Sequence, residues 1–125
     1  MYVEGELMSS FMNEDKVKQL IEISNTCDNS LLNDLIDLFG SETLRLISEI
    51  KVASGEKNIL KIHKSARSLK LGADYIGAKK LYEISDHLEK EASEGHIPRN
   101  IETIINELEY YYCQSSDFLD KKKVA

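Results

Sequence analysis

The stretch that decides the fold of this 125-residue chain lies in its middle and reads Ala66-Arg67-Ser68-Leu69-Lys70-Leu71-Gly72-Ala73-Asp74-Tyr75-Ile76-Gly77-Ala78-Lys79-Lys80-Leu81. In this stretch and just before it, apolar side chains recur at helical spacing: Ile59, Ile62, Ala66, Leu69, Ala73 and Ile76. Steps of three and four residues place such side chains on one face of a helix. The stripe is narrow and partly built of alanine, so we expect a neighbouring helix to approach it closely.

A second row of side chains follows the same spacing beside the apolar stripe, and its members are polar. We call it the polar row, and it consists of His63, Arg67, Lys70 and Asp74. Packing of a core does not require a polar row at its border. We therefore expect a functional site, if the chain has one here, to include these residues.

The central stretch resembles the central helix of histidine phosphotransfer (HPt) domains. In that family an Ala-His-Ser-Leu-Lys-Gly-like segment is followed by small residues and then by an Ile-Gly-Ala-like segment. Matching positions are held by Ala66, Ser68, Leu69, Lys70, Gly72, Ala73, Ile76, Gly77, Ala78 and Leu81. The resemblance extends from Leu31 to Leu119. It implies an all-α fold, an antiparallel four-helix bundle of the HPt type. The apolar spacing within Glu14–Ser24 separately predicts a short additional helix at the N-terminus.

The sequence departs from the family pattern at two positions that carry its chemistry. The phosphoacceptor histidine of HPt domains aligns with Arg67, and the small residue four positions later aligns with Leu71. A guanidinium stays protonated at physiological pH and cannot act as the nucleophile, and Leu71 narrows the approach of a partner. The resemblance therefore implies a pseudo-HPt, not an enzyme, that binds a response-regulator receiver domain or a histidine kinase in two-component signalling.

The residues that we expect to contact such a partner lie along the central helix. They are His63, Lys64, Arg67, Lys70, Leu71 and Asp74. Arg67 could enter the acidic pocket that a receiver presents and pair with its carboxylates in bidentate fashion. Lys64, Lys70 and Lys79 would add a basic rim, which would steer an acidic partner.

Two alternatives stay open from the sequence. His63 lies one turn before Arg67 on the same face, so it could be the phosphoacceptor of an active HPt phosphocarrier. The protein could also be a helical adaptor unrelated to phosphorelay. Acid-labile phosphohistidine would identify the phosphocarrier, and a lack of receiver binding would identify the adaptor.

Composition and charge narrow the class of protein. With 42% hydrophobic and 30% charged residues the chain is typical of a soluble domain, and its net charge of −6 argues against a nucleic-acid partner. No stretch approaches the ~20 apolar residues of a membrane span, and the acidic N-terminus has no signal-like apolar run. We expect a cytoplasmic monomer. Cys27 and Cys113 lack metal-ligand spacing, and we predict two free thiols, no metal site and no cofactor.

The sequence predicts one domain. Residues 1–13 are expected to be loosely ordered, residues 14–120 to form the bundle, and residues 121–125 to form a short basic tail. The predicted helices are Glu14–Ser24, Leu31–Ala53, Asn58–Ile76, Lys79–Ser93 and Pro98–Leu119, with a turn over Asn25–Ser30. We expect Ile23 on the inner face of the first helix. The inner face expected for the second helix, continuous or bent at Gly40, consists of Leu31, Leu35, Leu38, Phe39, Leu46, Ile47 and Ile50.

Overall fold

The computed structural model describes residues 11–27 and 29–123, and that part of the chain forms five α-helices and no β-strand. The helices are α1 (Glu14–Cys27), α2 (Asn29–Gly55), α3 (Ile59–Ile76), α4 (Lys79–Ser93) and α5 (Ile101–Asp120). Helix α3 packs between α2 and α4, and α5 closes the bundle by contacting both α2 and α4. Short connections between packed helices make them antiparallel neighbours. The predicted all-α four-helix bundle with a short extra helix is confirmed.

Helix α3 has clear signals at both ends. The side chain of Asn58 accepts a hydrogen bond from the backbone N–H of Lys61 at 3.1 Å, which caps the first turn. At the other end Gly77 has a left-handed backbone (φ 83°), and the N–H of Ala78 donates to the carbonyl of Ala73 at 2.8 Å. Between these ends the predicted stripe faces the core, with Ile62, Ala66, Leu69, Ala73 and Ile76 buried.

Phe11 and Met12, just before α1, are part of the core, so within the segment 1–13 that was expected to be loose, residues 11–13 are held in place. Phe11 and Met12 are buried, and the ring of Phe11 meets the ring of Phe118 edge-on at 6.1 Å. The backbone N–H of Asn13 donates to the carbonyl of Gly77 at 2.7 Å. These contacts fasten the start of the described chain to α5 and to the α3–α4 turn. The first ten residues lie outside the described part of the chain.

Several predicted helix boundaries differ from the structure: α2 extends two residues beyond the predicted Leu31–Ala53 at each end, and the end of α1 and the start of α5 each differ by three residues. Helix α1 continues to Cys27 and α2 begins at Asn29, so the turn expected over Asn25–Ser30 is helical on both sides of residue 28. The hydroxyl of Thr26 donates to the carbonyl of Ile23 instead of capping the next helix. The last helix begins at Ile101 and not at Pro98. The carbonyl of Pro98 accepts from the N–H of Ile101 at 3.1 Å, in a turn that precedes α5.

The inner face of α2 is as predicted at Phe39, Leu46, Ile47 and Ile50 but is rotated from the predicted one in the first part of the helix. Leu38 is exposed and Leu31 and Leu35 are half-buried, whereas the buried positions are Leu32, Ile36, Phe39, Thr43, Leu46, Ile47, Ile50 and Ala53. The sequence offers two overlapping apolar stripes in the first half of this helix, and only one of them can face the core. Gly40 does not interrupt the helix. Ile23 of α1 is also exposed, and the buried position next to it belongs to Ser24.

Gly77 is the position where a side chain should be least tolerated. A Cβ atom there would lie 3.0 Å from the carbonyl oxygen of Asn13 and 3.2 Å from Cγ2 of Val17. Because its left-handed backbone also disfavours other residues, we expect Gly77→Ala to lower the free energy of unfolding by about 1–3 kcal/mol. The control is Gly72→Ala, since a Cβ at Gly72 meets nothing within 4 Å. That variant should gain up to about 1 kcal/mol from helix propensity. Urea denaturation measures both changes, and an unchanged Gly77→Ala would contradict the packing of Asn13 against this turn.

No helix among the described residues is both long and apolar enough to cross a bilayer.

Candidate functional site

The solvent-facing side of α3 carries apolar and basic side chains together. Leu60, Lys64, Arg67, Leu71 and Tyr75 are spaced by three or four residues, so they share one side of the helix, and we call them the α3 outer face. Leu60 is 64% exposed, Leu71 56% and Tyr75 58%. Single exposed apolar residues are ordinary, but a row of them marks a candidate contact surface.

Arg67 stands in the middle of the α3 outer face with its charge uncompensated. It is exposed, and within residues 11–27 and 29–123 its guanidinium makes no hydrogen bond and no ion pair. Asp74, two turns along the same helix, pairs instead with Lys16 of α1, with 3.1 Å between Nζ and Oδ1. Lys64, one turn before Arg67, is likewise exposed and unpaired among the described side chains. Both positive charges are therefore available to a partner.

The other members of the polar row face α4. Lys70 is half-buried, its ammonium lies 3.4 Å from Oδ1 of Asp86, and it forms a second, closer ion pair with Glu89. His63 is also half-buried, with Nε2 3.9 Å from Oε2 of Glu89. The four residues that share one row in the sequence thus divide between two surfaces. Sequence spacing placed them side by side but could not show the carboxylates that draw two of them toward α4.

Of the three lysines that the sequence analysis assigned to a basic rim, Lys70 alone is paired with carboxylates of α4 among the described residues. The hydrogen bond from Lys70 to Glu89, supported by Asp86, raises the pKa of the Lys70 ammonium above its usual range. Lys70 therefore stays protonated but is committed to two acidic partners. The carboxylate of Glu89 lies between this ammonium and the imidazole of His63. Any negative charge added to His63 would be repelled by that carboxylate.

An apolar groove of about 410 Å³ runs beside the outer face, between α2 and α3. Its wall is formed by the apolar residues Leu35, Leu38, Phe39, Leu46, Leu69 and Ile76, and Tyr75 stands at its rim. Leu38 is exposed here, and Gly72 leaves open space on the α3 side. On the polar side of the groove the positive charge of Arg45 is balanced by ion pairs with Glu42, at 2.8 Å, and with Glu49. The sequence analysis missed this groove because it assigned Leu38 to the core.

The ion pairs around Lys70 predict a pH dependence of stability. Hydrogen bonding to Lys90, with a smaller contribution from Lys70, holds the pKa of the Asp86 carboxyl below its usual range. A carboxyl whose pKa is lowered by folding stabilises the fold above its unfolded value of about 4, and this contribution is lost as the pH falls through the folded value. We expect the melting temperature of the wild type to fall more steeply below about pH 4 than that of Asp86→Asn. Circular dichroism melts at several pH values measure this, and parallel profiles would contradict it.

The fold is similar to that of a known phosphotransfer protein. The crystal structure of histidine-containing phosphotransfer protein B (HptB) from Pseudomonas aeruginosa PAO1 superimposes with a TM-score of 0.80 and 17% sequence identity. The match covers 90% of this chain and 94% of that chain. No protein-family model and no curated protein matches the sequence. The structural similarity supports an HPt-like fold for this chain.

Proposed function

We propose that this protein is a pseudo-HPt of two-component signalling, which binds a receiver domain or a histidine kinase through the α3 outer face and carries no phosphate. The observation that carries the proposal is Arg67. It is exposed and without a partner among the described residues. By sequence resemblance it aligns with the phosphoacceptor histidine of HPt domains. The HPt-like fold supports the class of partner.

The charge of the α3 outer face suits an acidic partner. The chain as a whole has a net charge of −6, yet Lys64 and Arg67 present two unpaired cations on this face, and Lys79 is exposed just beyond α3. A local reversal of sign steers partners of opposite charge and disfavours association of two copies through the same face. The guanidinium of Arg67 can pair with two carboxylate oxygens at once, as the acidic pocket of a receiver would offer.

The exposed apolar side chains of the α3 outer face would add buried apolar area to an interface that also contains charged pairs. Leu71 and Tyr75 flank Arg67 on one side of α3, and the groove beside them is open toward Leu38. Interfaces combine a buried apolar centre with a polar rim. Gly72 sits in the middle of α3 at a cost of about 1 kcal/mol relative to alanine, and no contact among the described residues requires it. The absence of a side chain at Gly72 would let the backbone of a partner approach α3 closely.

The alternative of a phosphocarrier acting through His63 is disfavoured by its surroundings. The imidazole is half-buried beside Glu89, whose carboxylate would repel a phosphoryl group. Lys70, the nearby cation, is already paired with Asp86 and Glu89. Before a phosphoryl group on His63 could be stabilised, His63 would have to move away from Glu89, and Lys70 would have to leave its ion pairs with Asp86 and Glu89.

The test combines phosphate transfer with binding. The purified protein is incubated with radiolabelled acetyl phosphate, and separately with a panel of phosphorylated receiver domains. We expect no acid-labile label on the wild type, and binding to at least one receiver or kinase helical region with a dissociation constant on the order of micromolar. Labelling of the wild type that disappears in His63→Ala would establish the phosphocarrier instead. Binding to no receiver and no kinase would leave an adaptor outside phosphorelay.

Restoring a histidine at position 67 should not by itself restore transfer. In Arg67→His the imidazole would still be flanked by exposed Leu71, and Lys70 would still be neutralised by α4. We expect only trace labelling in this variant. Adding Leu71→Gly, which opens the approach, and Glu89→Gln, which removes one of the two carboxylates paired with Lys70, should raise the rate of labelling by about tenfold or more, equivalent to about 1.4 kcal/mol of barrier. Full labelling of Arg67→His alone would contradict the roles given to Leu71 and Glu89.

A further inference from the structure

Side chains of types that commonly bind metal ions lie close together at the C-terminal end of α4. None of them belongs to the α3 outer face. Gly95 has a left-handed backbone (φ 82°), and the turn it forms lets the N–H of His96 donate to the carbonyl of Glu91 at 3.0 Å. The chain thus folds back over the end of the helix. As a result, side-chain ligand atoms of Glu91, Glu94 and His96 all lie within 4.8 Å of one another.

A second imidazole approaches the same carboxylate from the preceding turn of α4. Nε2 of His87 lies 3.9 Å from Oε1 of Glu91, and Nδ1 of His96 lies 3.8 Å from its Oε2. Both separations are too long for hydrogen bonds. Tetrahedral zinc with bonds of about 2.0–2.2 Å holds its ligand atoms about 3.4 Å apart, so each of these pairs would have to close by about half an ångström around an ion.

The side chains of this group are not committed elsewhere. Among the described residues, His87, Glu91, Glu94 and His96 make no side-chain hydrogen bond, and the only ion pairs of His87 and His96 are the two long contacts with Glu91. Two carboxylates offset the charge of a divalent cation, and two imidazoles favour a transition metal over magnesium or calcium, which prefer oxygen ligands. The ligand set contains no thiolate, and its mixture of nitrogen and oxygen suits zinc.

We propose that Glu91, Glu94 and His96 bind a single Zn²⁺ ion, that the exposed imidazole of His87 turns toward the ion as its fourth ligand, and that the ion ties the α4–α5 connection to the end of α4. The sequence analysis expected no metal site because the two cysteines lack metal-ligand spacing. The signal in the sequence was the spacing of His87 and Glu91 by one helical turn, followed by a glycine turn that returns a second histidine. The site shares no residue with the α3 outer face and does not depend on the proposed function.

The test is a zinc titration of the untagged full chain in competition with a chromophoric zinc indicator. We expect one Zn²⁺ per chain, bound with a dissociation constant on the order of micromolar or below. His87→Ala and His96→Ala should each weaken binding by about tenfold or more. The matched control is His63→Ala, which removes the remaining histidine of the chain and should leave zinc affinity unchanged.

A second measurement separates specific binding from adventitious binding. Zinc should raise the melting temperature of the wild type and of His63→Ala, but not that of the double variant His87→Ala/His96→Ala. Both histidines of the double variant are exposed, so the fold should persist without zinc, as circular dichroism can verify. Millimolar affinity, or zinc binding that both substitutions leave unchanged, would overturn the proposal and indicate an adventitious ion only.

Discussion

Leu69→Ala is expected to lower the free energy of unfolding by about 2–5 kcal/mol, the largest effect on stability among the substitutions considered. Leu69 is 2% exposed and lies on the inner face of α3, the helix that packs against both α2 and α4. Truncation to alanine removes buried apolar surface and leaves a cavity at the floor of the groove between α2 and α3. Because both neighbouring helices are held at their ends by short connections, they can close that cavity only in part.

The matched control for this prediction is Leu71→Ala, two residues along the same helix. Leu71 is exposed, so its truncation should change the free energy of unfolding by no more than about 0.5 kcal/mol. Urea denaturation followed by circular dichroism gives both values under identical conditions. Equal losses at the two positions would mean that α3 is rotated about its axis relative to the structure described here, and the assignment of the α3 outer face would fail with it.

The register of α3 could be predicted from sequence because its signals are local and agree with one another. A single apolar stripe runs through the helix, Asn58 caps one end, and Gly77 ends the other. Helix α2 lacks this clarity. Its first half contains the pairs Leu31-Leu32, Leu35-Ile36 and Leu38-Phe39, so two stripes fit a helix equally well. Packing against α5 and α3 selects the second residue of each pair, and that choice is not encoded within α2.

The surface charge of α3 and the packing of the N-terminal residues were missed because they depend on contacts between distant segments. Lys70 was expected on an open basic rim, but its orientation is set by Asp86 and Glu89 on the next helix. Phe11 was expected in a loose segment, but Phe118 near the end of the last helix provides its partner. The fold could be predicted from the resemblance to a family. The distribution of charge over the surface could not, because it depends on how the helices are placed relative to one another.

Arg67→Ala is expected to weaken binding to a receiver domain by about 1.5 kcal/mol or more, which is roughly tenfold or more in the dissociation constant. The reason is that a bidentate, charge-assisted pair between the guanidinium and carboxylates would be lost from the centre of the interface. Added salt should also weaken binding of the wild type, since exposed charges on both partners are screened. Calorimetric titration at low and high ionic strength measures both effects.

Two control variants separate bidentate pairing from simple attraction between charges. Arg99 is an exposed arginine without a partner among the described residues, in the turn before α5, so Arg99→Ala changes the net charge equally but away from the α3 outer face. It should leave the affinity nearly unchanged. Arg67→Lys keeps the charge at the same place but removes the planar fork of donors. If pairing is bidentate, Arg67→Lys should lose most of the affinity that Arg67→Ala loses. If Arg67→Lys binds as tightly as the wild type, Arg67 contributes only a positive charge and not a bidentate pair. If Arg67→Ala and Arg99→Ala lose the same affinity, Arg67 is not part of the interface.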